Sequence, residues 1–449
     1  MSKENVSMTE GPILKNIIYF AVPLMLTGIL QQLYNTFDSM VIGKFSSSLA
    51  LAAIGGSASL TALITNFFIG LSVGTGIIVA QHYGAMDKDA LEQDVHTAVA
   101  LSLVSGVLMT IIGLVVLNPI LTLIDTPPEV MPYAQKYVKM YFLGTIPTLL
   151  YNFLAGIMRA IGDSKRPLYY LIISAILNIV LNLFFVIVLK MDVDGVAIAT
   201  IISQTVCCIM ALCRLINVDA PYRLIPKKIK LNPKVVVKIL RMGVPAGINS
   251  CLFSISNLVI QSSINSFGAA AAAGCAADTS IENFVYMPMD AIASSATTYV
   301  GQNMGAAEHK RMKKGINCSI GFVTIVGLVL GLLVYVLGTP LLKLFTNSRE
   351  NSFEVIQYGL QRMSVVAITY FICGIMGVLS GSIRGMGNSL VPMLISVFGV
   401  CGLRIIWIYM ILPMNNTIPM LFMSYPISWT VTAAILYAYL HRIYRQLKI

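Results

Sequence analysis

One string of residues occurs twice in this chain. Leu154-Ala155-Gly156-Ile157-Met158-Arg159-Ala160-Ile161-Gly162-Asp163-Ser164 runs on to Pro167, and Leu379-Ser380-Gly381-Ser382-Ile383-Arg384-Gly385-Met386-Gly387-Asn388-Ser389 runs on to Pro392. Both read L-x-G-x-x-R-x-x-G-[DN]-S-x-x-P. Two shorter echoes precede it in the same order. Val79-Ala80-Gln81-His82-Tyr83-Gly84-Ala85 matches Val300-Gly301-Gln302-Asn303-Met304-Gly305-Ala306, and Val22-Pro23 matches Val244-Pro245. Three echoes in one order mean a duplicated unit, so the fold must be two copies of one half. In a membrane, such duplication predicts two half-bundles with a site between them.

Hydropathy puts both copies in a membrane. Hydrophobic residues make up 57% of the chain and charged residues 11%, and the mean hydropathy is +0.81. Soluble domains carry roughly a quarter charged residues. Twelve apolar stretches are long enough to cross a hydrocarbon core of ~30 Å as helices. They lie near 14–40, 50–80, 94–122, 131–159, 168–190, 194–217, 236–266, 270–302, 315–338, 355–382, 390–412 and 416–441. The polar stretch 216–234 divides a first lobe, 1–215, from a second, 235–449. Met1 to Glu10 is polar, and the stretch after it is too long for a signal peptide. The expected class is therefore an all-α integral membrane protein with twelve transmembrane helices in two six-helix lobes.

Charge placement sets the orientation. Most Lys and Arg, including those at 214–241, 310–314 and 442–448, fall on one side of the twelve spans. The positive-inside rule puts that side, with both termini, in the cytoplasm of a plasma-membrane protein. Six spans per half is an even number. Both halves enter from the same side, and the pseudo-twofold axis runs along the membrane normal. The net charge of +11 is topological and implies no nucleic-acid partner. The partner it implies is the lipid bilayer.

Several chemistries find no support. The eight cysteines form no C-x-x-C and none sits near a histidine at ligand spacing, so no metal or disulfide framework is expected. His82, His96, His309 and His441 fall at span ends and read as solvated. No nucleotide-binding G-x-x-x-x-G-K-[ST] occurs. Neither a catalytic residue set nor a resident cofactor is implied. Work done by this chain must draw on an ion gradient or on a partner.

Polar groups inside the spans carry the functional signal, because they are costly there. Asp38, Tyr34 and Gln31 share one face of the first span, with Asn35 on a neighbouring turn. Asp38 is that span's one carboxylate. Asn178 and Asn182 stand one turn apart in the fifth span, and Thr200, Ser203 and Gln204 lie in the sixth. These are binding groups or interhelical glue. Asp278 and Glu282 share a face of the eighth span, with Arg362 and Arg404 as available counter-ions. That cluster is either a cation-attracting site for substrate or a buried structural ion pair. Pro23, Pro147, Pro245 and Pro288 fall within spans, and Pro23, nearest to Asp38, is the one with a conformational role in view.

The paired strings, the twelve spans and the early Val-Pro of each half resemble the multidrug and toxic compound extrusion (MATE) family, over residues 12–443. The resemblance implies two six-helix lobes that alternate between outward- and inward-open states. It implies export of amphipathic, often cationic compounds in exchange for H+ or Na+, and the chain is expected to act as a monomer. Pro23, Tyr34 and Asp38 match the family's first-helix motif, Asn178 its fifth-helix motif, and Thr200 a position in the sixth. The family often has a second acid where this chain has Asn182. Residues and resemblance together give Asp38, Tyr34, Asn178, Asn182 and Thr200 as the expected ion-coupling set, and the residues themselves give Gln31, Asn35, Asp278 and Glu282 as the expected substrate set. With one carboxylate among those oxygens, a proton is favoured over Na+. Two rivals remain: a lipid-linked precursor flippase, which would want a cationic cavity, and an ion channel, for which no selectivity-filter string exists.

Overall fold

The structure is a computed structural model, and residues 7–45, 48–123, 126–345 and 352–448 are described. The side chain of Asn35, and those of some residues between 39 and 60 and at 123, 345 and 352, lie outside that description. Every regular element among the described residues is helical. Ten helices are long and apolar enough to cross a membrane, and Met131–Leu143 with Thr145–Ala160, bent by 44°, makes an eleventh span. The twelfth long helix, Ala269–Gly305, has 37 residues and carries Asp278, Glu282 and Asp290. In order they are α1 (Ile13–Phe45), α2 (Ser48–Gly84), α3 (Lys88–Leu123), α4 (Met131–Leu143) with α5 (Thr145–Ala160), α6 (Lys165–Leu183) and α7 (Val193–Asn217). The second half has α8 (Pro233–Asn265), α9 (Ala269–Gly305), α10 (His309–Val336), the short α11 (Gly338–Phe345) and α12 (Ser352–Gly385). It ends with α13 (Leu390–Ser396), α14 (Leu403–Ile406) and α15 (Ile418–Gln446). α13 and α14 belong to one helical run, joined by the π-helical segment Val397–Gly402 and continued by a second, Trp407–Ile411. A helix satisfies its own backbone, the condition for crossing lipid.

The duplicated strings prove to be joints. Gly162 and Gly387 have φ of +90° and +93°, a region that favours glycine. The next residue then caps the following helix: Asp163 Oδ1 accepts from Arg166 N at 3.2 Å, and Asn388 Oδ1 from Val391 N at 3.2 Å. Pro167 and Pro392 sit in the first turns of α6 and α13, where a missing N–H costs little. Gly381 lets α12 approach α9 closely, since a Cβ there would lie 2.8 Å from Ala293 O. The V-x-Q-x-x-G-A strings end in a second matched joint, with Met86 and Ala307 both at φ +56°.

The chain divides into two compact units. One holds Leu26–Cys251, the other Ser7–Met25 with Leu252–Ile449. α1 and α8 are therefore each shared between units. In the first unit, α2 crosses α8 at glycines: a Cβ on Gly70 would lie 2.4 Å from Gly247 Cα. Small residues at such a crossing give the backbone contact that holds helices together in lipid. The stretch 218–232 docks on the start of α3. Ile225 N donates to His96 Nε2 at 2.9 Å, Lys228 Nζ meets Glu92 Oε1 at 2.6 Å, and Asn232 Nδ2 donates to Gln93 Oε1 at 2.8 Å. His96 is thus buried rather than solvated, with Nδ1 donating to Glu92 O at 2.6 Å. In the second unit, the segment before α1 is held in the same way. Gln302 Oε1 accepts from Met8 N at 3.3 Å, and Asn303 Nδ2 donates to Met8 O at 3.0 Å.

Replacing Gly387 by Ala should lower the apparent melting temperature in detergent, at a cost of about 1–2 kcal/mol for a left-handed alanine. Gly321→Ala is the control, since a Cβ there meets nothing within 4 Å. It should leave the melting temperature unchanged or slightly raised.

Candidate functional site

A cavity of about 110 Å³ opens inside the first unit, large enough for several water molecules. Its wall is built from α1, α2, α3, α4, α5 and α7. The bend between α4 and α5 shapes it. At Gly144 the chain passes so close to α7 that a Cβ would lie 2.3 Å from Ile201 Cγ1. The bend turns Gly144, Thr145 and Thr148 to the cavity, and Thr145 Oγ1 is tied to Thr110 Oγ1 at 3.1 Å. Pro147 therefore lies in the first turn of α5, not in mid-helix.

Asp38 and Tyr34, one turn apart on α1, reach this wall together with Thr200 of α7. Asp38 is the one charged side chain among the lining residues. Behind it stands a relay of amides on α6. Asn182 Nδ2 donates to Asp38 Oδ1 at 2.5 Å and to Asn178 Oδ1 at 2.9 Å. Asn178 Nδ2 in turn points at Thr200 Oγ1, 3.4 Å away. Both asparagines are fully buried, and Asn182 Oδ1 has no hydrogen-bond partner. The buried Tyr34 hydroxyl faces Thr200 and Gln204. Just beyond Asn182, the helix widens into the π-helical turn Phe184–Val188. Such turns recur at functional sites.

The five residues expected to couple ions thus converge on one place. Gln31 does not join them: it is exposed and outside the cavity wall. The Asn35 side chain lies outside the described residues. Pro23 is buried in the part of α1 that belongs to the second unit. Thr65, Tyr137, Tyr141, Thr145 and Thr148 line the cavity without having been singled out in the sequence. The four-residue spacing of Tyr133, Tyr137 and Tyr141 was a usable signal, since it stacks three phenols on one helix face.

In the second unit, Asp278 and Glu282 meet Arg362. Its guanidinium donates to Asp278 Oδ2 at 2.9 Å and to Glu282 Oε2 at 2.6 Å, and all three groups are buried. The Arg362 guanidinium also lies 4.9 Å from the centre of the Phe422 ring. Arg404 is not part of this cluster; it donates to Ser428 Oγ at 3.2 Å and stacks on Tyr425. Of the two counter-ions considered, only Arg362 pairs with these acids.

A family model described as MatE matches residues 23–184 and 245–410, one match in each half. The chain belongs to the multidrug and toxic compound extrusion family. Among MATE relatives, it is 28% identical to the probable multidrug resistance protein YoeA of Bacillus subtilis, over 97% of this chain and 95% of that one. It is 26% identical to the probable multidrug resistance protein NorM of Thermotoga maritima, over 87% and 84%. A crystal structure of MATE in complex with MaL6 superposes with a TM-score of 0.93 at 21% identity, over the whole of both chains. An outward-facing multidrug resistance MATE transporter superposes at 0.91, also at 21%, over 100% of this chain and 99% of that one. At such identity these two structures speak for the fold: the all-helical, twelve-helix, two-lobe architecture that the repeats predict.

Breaking the Arg362 cluster from one side strands two buried carboxylates. Arg362→Met should destabilise the protein by about 3–5 kcal/mol. Adding Asp278→Asn and Glu282→Gln should recover much of that loss. Thermal unfolding in detergent across the single, double and triple variants measures it.

Proposed function

We propose that this chain is a secondary-active multidrug efflux antiporter of the plasma membrane, with both termini in the cytoplasm, working as a monomer. It exports amphipathic cations in exchange for protons. The observation that carries this reading is Asp38: a lone carboxylate in a cavity wall, braced by the amide relay of α6 and faced by Thr200 and Tyr34. A proton arriving from outside loads Asp38, and the loaded state releases cargo outward. Coupling needs only that proton and cargo prefer opposite states by a few kcal/mol.

Asn182 turns its N–H, not its oxygen, toward Asp38. That N–H stabilises the ionised carboxylate, the form that accepts a proton. A Na+ ion would want the amide turned round, with several hard oxygens and more negative charge. The curated relatives' names, as multidrug resistance proteins, support drugs as the cargo class. The anionic wall at Asp38 supports cations over the pyrophosphate of a lipid-linked precursor, and a duplicated two-lobe plan favours an exchanger over a channel.

Ethidium efflux from proteoliposomes under separately imposed pH and Na+ gradients tests the reading. The pH gradient should drive efflux, and Asp38→Asn should abolish it with the amount of folded protein unchanged. Wild-type rates in that variant, or efflux driven by Na+ alone, would overturn the assignment. Asn182→Asp places a second carboxylate beside the first and should create Na+ stimulation where the wild type shows none. For Asp278 and Glu282 we propose cation recognition through the one negative charge that Arg362 leaves unbalanced. Neutralising both should weaken binding of cationic dyes more than neutral ones; equal loss marks a purely structural cluster.

A further inference from the structure

The repeat allows the Asp38 site to be carried into the second half. Arg159 pairs with Arg384 and Pro167 with Pro392. At the same displacement, Lys165 and Leu390 begin α6 and α13, and Val193 and Ile418 begin α7 and α15. Asn178 then corresponds to Leu403, Asn182 to Trp407, Thr200 to Tyr425 and Gln204 to Trp429. By the Val-Pro pair, Asp38 corresponds to Ile260. The counterpart has lost its acid. Beside it stands Arg404, so the sign of the charge is inverted.

Arg404 is 3% exposed. Its Nε donates to Ser428 Oγ at 3.2 Å, and its guanidinium carbon lies 3.7 Å from the centre of the Tyr425 ring and 5.8 Å from that of Trp429. Among the described residues no carboxylate pairs with it, and Nη1 and Nη2 have no hydrogen bond. The second unit's other buried arginine has its counter-charges: Arg362 holds two carboxylates. Glu282 is held by Arg362, and Asp290 faces Arg384. A buried guanidinium without a counter-charge is costly, and a ring face offsets only part of that cost. π-helical segments on both sides of α14 present it, an arrangement common at binding sites.

We propose that Arg404, held by Tyr425 and Trp429, forms a subsite for a carboxylate. The free edge of the guanidinium grips the two oxygens as a fork. Tyr425 and Trp429, in edge contact with each other at 5.5 Å, hold the guanidinium by its face and leave that edge to the ligand. The cargo then extends from cations to zwitterions and anions that carry a carboxylate. The proposal is independent of ion coupling at Asp38.

The chain's two tryptophans report on this place, because Trp407 follows Arg404 by three residues and Trp429 borders its guanidinium. The test titrates full-length protein in detergent with 4-nitrobenzoate, a quencher, and with 4-nitrobenzamide, its neutral isostere. Wild type should show saturable quenching by the carboxylate, with the amide weaker by roughly tenfold or more, the scale of a charge-assisted hydrogen bond. Arg404→Met should lose the difference and Arg404→Lys keep part of it. Asp38→Asn should keep it whole, which separates this subsite from the coupling site. Equal affinity for carboxylate and amide in the wild type overturns the proposal even if Arg404→Met fails to fold. So does undiminished carboxylate binding in a folded Arg404→Met.

Discussion

A polar group left without a partner in hydrocarbon costs several kcal/mol, and this molecule is organised around that cost. It makes every spanning segment a helix. It explains why Asp38 is backed by two buried amides in series rather than by apolar packing. It explains why Arg362 sits between two acids, each within hydrogen-bond reach. Where the helices must stop and turn, the same cost is met locally: Asp163 and Asn388 offer side-chain oxygens to the first free N–H groups of the next helix.

Much of the fold was legible because lipid imposes a simple grammar. Apolar length marks spans, and α1 to α15 fall close to the twelve stretches read from the sequence. The repeats marked the two halves, but their chemistry was not visible in the strings. They mark a duplication and turn out to be a positive-φ glycine, a cap and a first-turn proline. The coupling cluster was legible through i, i+4 spacing of polar residues, which is why Asp38, Tyr34, Asn178, Asn182 and Thr200 could be named. Thr145 and Thr148 could not, because the bend at Gly144 that turns α5 to the cavity has no periodic signature. Nor did hydropathy foresee that α1 and α8 would each be divided between units, since that depends on which helices pack together.

The two halves share a scaffold and differ in charge. One places a carboxylate and two amides at the α1–α6–α7 meeting point, and the other an arginine and two large rings at the matching place. Duplication first supplies two identical frames. Substitution at a handful of positions then gives them opposite electrostatics without touching the joints, which remain matched down to the backbone angles of Gly162 and Gly387.

The π-helical segments carry a consequence for how such sites can be aimed. Each is a helix with a surplus residue tucked into one turn. Moving that surplus along by a turn shifts the register of everything it passes, rotating those side chains by about 100° while the ends of the helix stay fixed. Arg404 lies between two such surpluses and Asn182 directly before one. Both sites are therefore mounted on segments that can be re-indexed, like a ratchet wheel turned by one tooth, with no hinge opened and no hydrogen-bonded backbone exposed to lipid.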